Sequence, residues 1–165
     1  MKIKIRVLTK LALLAALITV TGAIKLPSFA AGAEFQLSAP LAVAICAVYG
    51  FTSYITAGIL SSLIGLILGL QNLLNISIAM IFRLTIGGLL LLCGTSRPML
   101  IIAGPIGSAL ARLSLGLWIG RAVIPLLAAA LPGMLFTAAA AVPLTRLLQR
   151  VKIQTEKVIH YAVQR

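Results

Sequence analysis

Acidic residues are almost missing from this chain: Glu34 and Glu156 are its only carboxylates, set against 14 lysines and arginines. One histidine, His160, stands near the C-terminus and needs no special role. Paired-carboxylate catalysis, a Ser-His-Asp set and an HExxH metal site all need groups that are not supplied. No GxxxxGK[ST] phosphate loop occurs either, so the chain brings no ATP hydrolysis of its own. Cys46 and Cys93 both lie in apolar runs, where a thiol acts as a small hydrophobe, and two isolated cysteines make neither a zinc site nor a disulfide framework. These absences argue against an enzyme and call for no cofactor and no metal.

What is present is oil. Of the 165 residues 61% are hydrophobic and 10% charged, and the mean hydropathy is +1.16, far from the balance of soluble domains. A span of about 20 apolar residues crosses a hydrocarbon core of about 30 Å, so a chain this long holds at most about six or seven helices and no separate soluble domain. Six apolar stretches separate, at residues 7–24, 39–51, 53–70, 74–94, 99–119 and 122–148. Lys25 to Ser28 opens the longest polar loop, Tyr49 to Ser53 is a short turn, Gln71 to Asn75 parts the third run from the fourth, and Gly94 to Pro98 the fourth from the fifth. The break at Trp118 to Arg121 is the shallowest and reads equally as a kink.

The net charge of +12 is distributed as a topology signal and not as a nucleic-acid surface, because the cations gather at the two ends and aromatic residues are not interleaved with them. Lys2, Lys4, Arg6 and Lys10 stand before or at the start of the first run, while Arg146, Arg150, Lys152, Lys157 and Arg165 stand at the end of the last or beyond it. Six spans put both ends and Arg97 in the cytoplasm and leave Lys25 and Arg121 outside, which follows the positive-inside bias; four spans satisfy it too, and an odd number does not. The expected architecture is therefore an all-α inner (plasma) membrane protein: a six-transmembrane-helix bundle over 1–150 with cytoplasmic N and C termini, and a basic cytoplasmic tail at 151–165. A cleaved signal peptide is the competing reading of the N-terminus, from its basic start, the run Leu11 to Val20 and the small residues Ala30, Ala31 and Ala33.

Helices in lipid associate where backbones approach closely. Ser61, Gly65 and Gly69, and likewise Ala103, Gly107 and Ala111, repeat at spacing four and are expected to form internal contact faces. Pro125, Pro132 and Pro143 predict kinks or breaks in the last run. Trp118 reads as an interfacial anchor.

Arg83 and Arg112 are the informative residues of the spans, since a cation at bilayer depth is costly and faces a partner or an aqueous cavity. Counted at 1.5 Å per residue, Arg83 lies about 12 Å down the fourth helix from Asn75, and Arg112 about 20 Å up the fifth from Met99, in the outer half. Neither has an acidic sequence neighbour. A guanidinium fork matches a carboxylate or phosphate bidentately, so the missing counterion is expected to be an anionic small-molecule ligand. The alternative is that Arg112 snorkels to the outer interface while Arg83 bonds helix-end carbonyls. Asn72, Asn75 and Gln71 after the third helix, with Glu34 and Gln36 in the first loop, are candidates to complete the pocket.

Ala12 and Ala16 stand four apart in Leu11 to Leu17, followed by Gly22-Ala23-Ile24-Lys25-Leu26-Pro27, Gln36-Leu37-Ser38-Ala39-Pro40, and a Gly50 turn into a Gly-rich third helix. With this order the first third of the chain resembles the substrate-binding S component of an energy-coupling factor (ECF) vitamin transporter. The resemblance implies a subunit that captures a vitamin-like molecule outside and is energised by an ECF coupling transmembrane protein and ATPase subunits. It implies that Ala12 and Ala16 dock on the coupling protein, that residues 26–37 form a lid, and that helices four to six form the pocket wall. An anionic vitamin such as biotin, pantothenate, niacin or lipoate suits Arg83 and Arg112. A self-sufficient small carrier or channel, and a structural membrane protein without a ligand, remain as alternatives.

Overall fold

The computed structural model describes residues 5–27, 34–119 and 123–163. It contains six helices: α1 (Ile5–Ala23), α2 (Ser38–Tyr49), α3 (Phe51–Ile67), α4 (Leu73–Cys93), α5 (Arg97–Ile119) and α6 (Val123–Val163). All six expected runs are helical, and the expected break at Trp118 to Arg121 reaches into residues 120–122, outside the described residues. Four helices are long and apolar enough to cross a membrane, and α2 and α3 are the shorter pair. Leucines and isoleucines such as Ile67, Leu92 and Leu135 stand more than 70% exposed on the outside of the bundle. In water that surface would be unfavourable by about 25 cal/mol per Å², so the bundle belongs in lipid.

The core is built around α2. At 12 residues it rises only about 18 Å, yet every residue from Pro40 to Cys46 is buried. It packs against α6, α1, α3, α4 and α5, while α1 lies along α3 and α4, α5 and α6 follow one another around the bundle. A helix buried on all sides needs to be apolar all round, as Leu41, Val43 and Ile45 make it. Gly50 ends α2 at φ 82°, in the left-handed region that only glycine enters cheaply, and so lets α3 start on the next residue.

Both expected small-residue faces are present in part. Ser61 accepts a hydrogen bond from Thr19 Oγ1 at 2.9 Å and ties α3 to α1, and Gly65 lies under the Gln71 side chain. Gly69 does something else: at φ 69° it closes the turn after α3 and faces no helix. On α5, Ala103 and Ala111 are buried and Gly107 admits Phe82 and Ile86 of α4. Gly104, on the same side, receives the Thr137 methyl of α6.

Two features depart from expectation. The first loop holds an antiparallel ribbon, β1 (Lys25–Pro27) paired with β2 (Glu34–Gln36), with Leu26 opposite Phe35. Mutual pairing satisfies backbone groups at the edge of a medium that offers them no partners. The last run does not break at Pro132 or Pro143, and α6 continues past residue 150 as one helix to Val163. Its 41 residues give about 60 Å, twice the hydrocarbon thickness, so part of its length projects beyond a bilayer. The N-terminal turns of α1 meet α6 around Val151–Glu156, which places both ends of the chain on one side of the bundle.

Candidate functional site

Gly22 at the end of α1, Ser38 and Ala39 at the start of α2, and Gln71 and Asn75 around the start of α4 all lie at the end of the bundle away from the termini. They surround the mouth of a cavity of about 260 Å³ whose deeper wall includes Tyr54, Arg83, Arg112 and Thr137. All six helices contribute, so the wall is wider than the α4 to α6 face that the resemblance implied. The ribbon joins Ala23 to Leu37, and so spans two edges of this mouth.

The structure brings Arg83, Arg112 and Asn75 to this one cavity. Arg83 is only 5% exposed and donates to Ser62 Oγ at 2.7 Å and to Met80 Sδ at 3.4 Å. Its guanidinium lies across Gly58, where an added Cβ would come within 2.6 Å of Nε. Tyr54, Gly58 and Ser62 sit one turn apart on α3, so hydroxyl, gap and hydroxyl form the bed on which Arg83 rests. The Tyr54 ring is buried beside Arg83, and its hydroxyl and the guanidinium interact. Arg112 is half-buried and donates to the Ser108 carbonyl of its own helix at 3.3 Å. Among the described residues neither guanidinium faces a carboxylate, and each keeps most of its five donors unused.

Asn72 stands apart from the cavity lining. Its Oδ1 accepts from the backbone N–H of Asn75 at 2.8 Å, which makes it the N-cap of α4. Asn72→Ala is expected to cost about 1 kcal/mol of stability while leaving ligand affinity within about twofold, as a thermal melt paired with calorimetric titration would show. The Glu34 backbone belongs to β2, and its side chain lies outside the described residues, as do those of Gln36, Trp118 and His160. Ala12 and Ala16 are exposed on α1, whereas Leu14, Ala15 and Ile18 turn inward.

Sequence reasoning missed Tyr54, Ser62 and Thr137. The signal available was the spacing of Tyr54, Gly58 and Ser62, which puts two hydroxyls and a gap on one stripe of an apolar helix. The remaining hydroxyls mostly bond their own helix, as Thr137 does to the Gly133 carbonyl at 2.7 Å, and so remove a polar cost without needing a partner.

Compared with known proteins, the chain is 50% identical over 144 residues to Protein BioX of Lysinibacillus sphaericus, a match that covers 87% of each chain. No family model matches it. No solved structure matches it either.

Proposed function

The chain belongs to the family of Protein BioX, and from its site we propose that it is the substrate-binding S component of an ECF-type importer for a vitamin-like carboxylate. The observation that carries this reading is a cavity of about 260 Å³ lined by two guanidinium groups with no carboxylate near them among the described residues. A buried cation without a counterion is a standing cost, and an anionic guest removes it. Arg83, fixed by Ser62 and Gly58, sets the carboxylate at depth, and Arg112, on the neighbouring helix α5, closes on it from the side. Asn75 and Gln71 at the mouth meet the polar atoms of the guest, while Ile18, Ile78 and Phe82 cover its apolar body.

Other parts of the chain fit the same role. Residues 26–37, with their paired ribbon, act as the lid over the mouth. Positive-inside bias sets the basic termini in the cytoplasm of the plasma membrane and the mouth outside, where substrate is captured. Ala12 and Ala16, left exposed as a smooth strip, dock on the coupling protein, whose ATPase partners supply the energy.

Calorimetric titration of the detergent-solubilised protein with carboxylate vitamins and their methyl esters tests the reading. One of the acids is expected to bind and its ester to bind at least about 100-fold more weakly, because charge-assisted bonds to guanidinium are lost. Equal affinity of acid and ester would overturn it.

A further inference from the structure

The second large concavity lies at the opposite end of the bundle, between the first turns of α1 and the C-terminal part of α6, with a volume of about 980 Å³. Its floor is apolar, built from Ile5, Leu13, Leu14 and Val151, and Ile5 and Leu13 remain 81% and 67% exposed. Its polar rim is Arg6, Lys10 and Lys152, with Glu156 as the one acid. Two of these cations converge on a single ring: Lys10 Nζ lies 6.0 Å and Lys152 Nζ 5.7 Å from the centroid of Tyr49. Lys10 donates to Ser53 Oγ at 3.1 Å and Lys152 to the Val48 carbonyl at 3.2 Å, which leaves each ammonium with donors to spare.

We propose that this groove is a binding site for an anionic phospholipid, whose phosphodiester lies between Lys10 and Lys152 and whose acyl chains run over Leu13 and Leu14. Two ammonium groups gathered at one ring repel, and Glu156 balances only one of the three cations on the rim. A phosphate between them relieves that repulsion with charge-assisted bonds. The occupant is a lipid because the apolar floor continues into exposed side chains of α1 that already face the bilayer. The groove also lies at the end where the chain leaves the hydrocarbon, so headgroup and tails both meet matching surface. Ala12 and Ala16 are not among its lining residues, and the site stands independently of the transport reading.

Native mass spectrometry of the whole chain, exchanged into mixed micelles of phosphatidylglycerol and phosphatidylcholine, reads the occupancy directly. Phosphatidylglycerol is expected to be retained preferentially, and the preference to fall about fivefold for each cation removed in Lys10→Gln, Lys152→Gln and Arg6→Gln. Arg6 is exposed, so its variant keeps the test valid if the lysine changes loosen the fold. Glycerol phosphate, which has the anion but no chains, is expected not to displace the lipid. Equal retention of the two lipids, an unchanged preference in Arg6→Gln and the lysine variants alike, or displacement by an acidic poly-glutamate peptide at equal concentration would each overturn the proposal.

Discussion

Arg83→Ala is expected to weaken capture of the carboxylate ligand by at least about 100-fold while leaving the fold as stable as before. The two halves of that result have the same cause. Arg83 is 5% exposed and meets only neutral groups, Ser62 Oγ, Met80 Sδ and the Tyr54 hydroxyl, among the described residues, so in the empty protein its charge is poorly compensated. Removing it deletes a desolvated cation whose burial costs several kcal/mol, which offsets the packing lost with the side chain. In the loaded protein the same change strips the guest of its main counterion, and two charge-assisted bonds at about 1.5–3 kcal/mol each convert to two or more decades of affinity. Arg83→Lys keeps the charge but not the fork, and the Lys ammonium has a shorter reach across Gly58, so a loss of about tenfold is expected. Arg112→Ala should cost about as much as Arg83→Lys, since Arg112 is half-exposed and already bonded to its own helix. Binding isotherms and thermal melts on the same samples check all three, and an unchanged affinity in Arg83→Ala would remove the anion-binding role from this cavity.

A tryptophan at Ala12 or Ala16 is expected to abolish uptake into cells while ligand binding by the purified chain stays within about twofold. Both alanines are exposed on α1, one turn apart, and face away from the cavity. Helices in lipid meet through surfaces that let their backbones come close, and an indole on such a surface holds the partner several ångströms off. Ala15, between them in sequence, is 2% exposed and packs into the core, so Ala15→Trp is the control that should damage the fold and both activities together. Uptake of labelled ligand and co-purification of the coupling protein are the readouts. Retained uptake in both outward variants would place the docking surface elsewhere.

The spans were legible because their signal is long: about 20 apolar residues between breaks leave little choice, and the cations at both ends fix the parity. Arg83 and Arg112 were legible for the converse reason, each being a charge in a run that otherwise has none. Tyr54 was not, because a phenol in an apolar helix reads the same whether it fills space or holds a neighbour. Asn72 shows the opposite error. An amide just before a helix fits a pocket and a cap equally well in sequence, and only the 2.8 Å bond to the Asn75 N–H assigns it. Gly69 continued a spacing-four repeat whose last member lay beyond the end of α3, where the chain turns. The ribbon escaped notice because three-residue strands are too short to show alternation. The unbroken course of α6 escaped because proline reports a missing donor but not whether the surroundings tolerate it.

Each of the six helices gives at least one side chain or backbone atom to the same small hollow. On the proposed reading, a molecule seated there would act as a keystone among the helices that line it. Its binding free energy adds to the resistance of the whole chain to heat and to proteases, by about 2.7 kcal/mol when the cargo stands at a hundred times its dissociation constant. On the proposed reading, the empty protein would fall back on the packing around α2 alone, so its lifetime in the cell would follow the supply of its substrate.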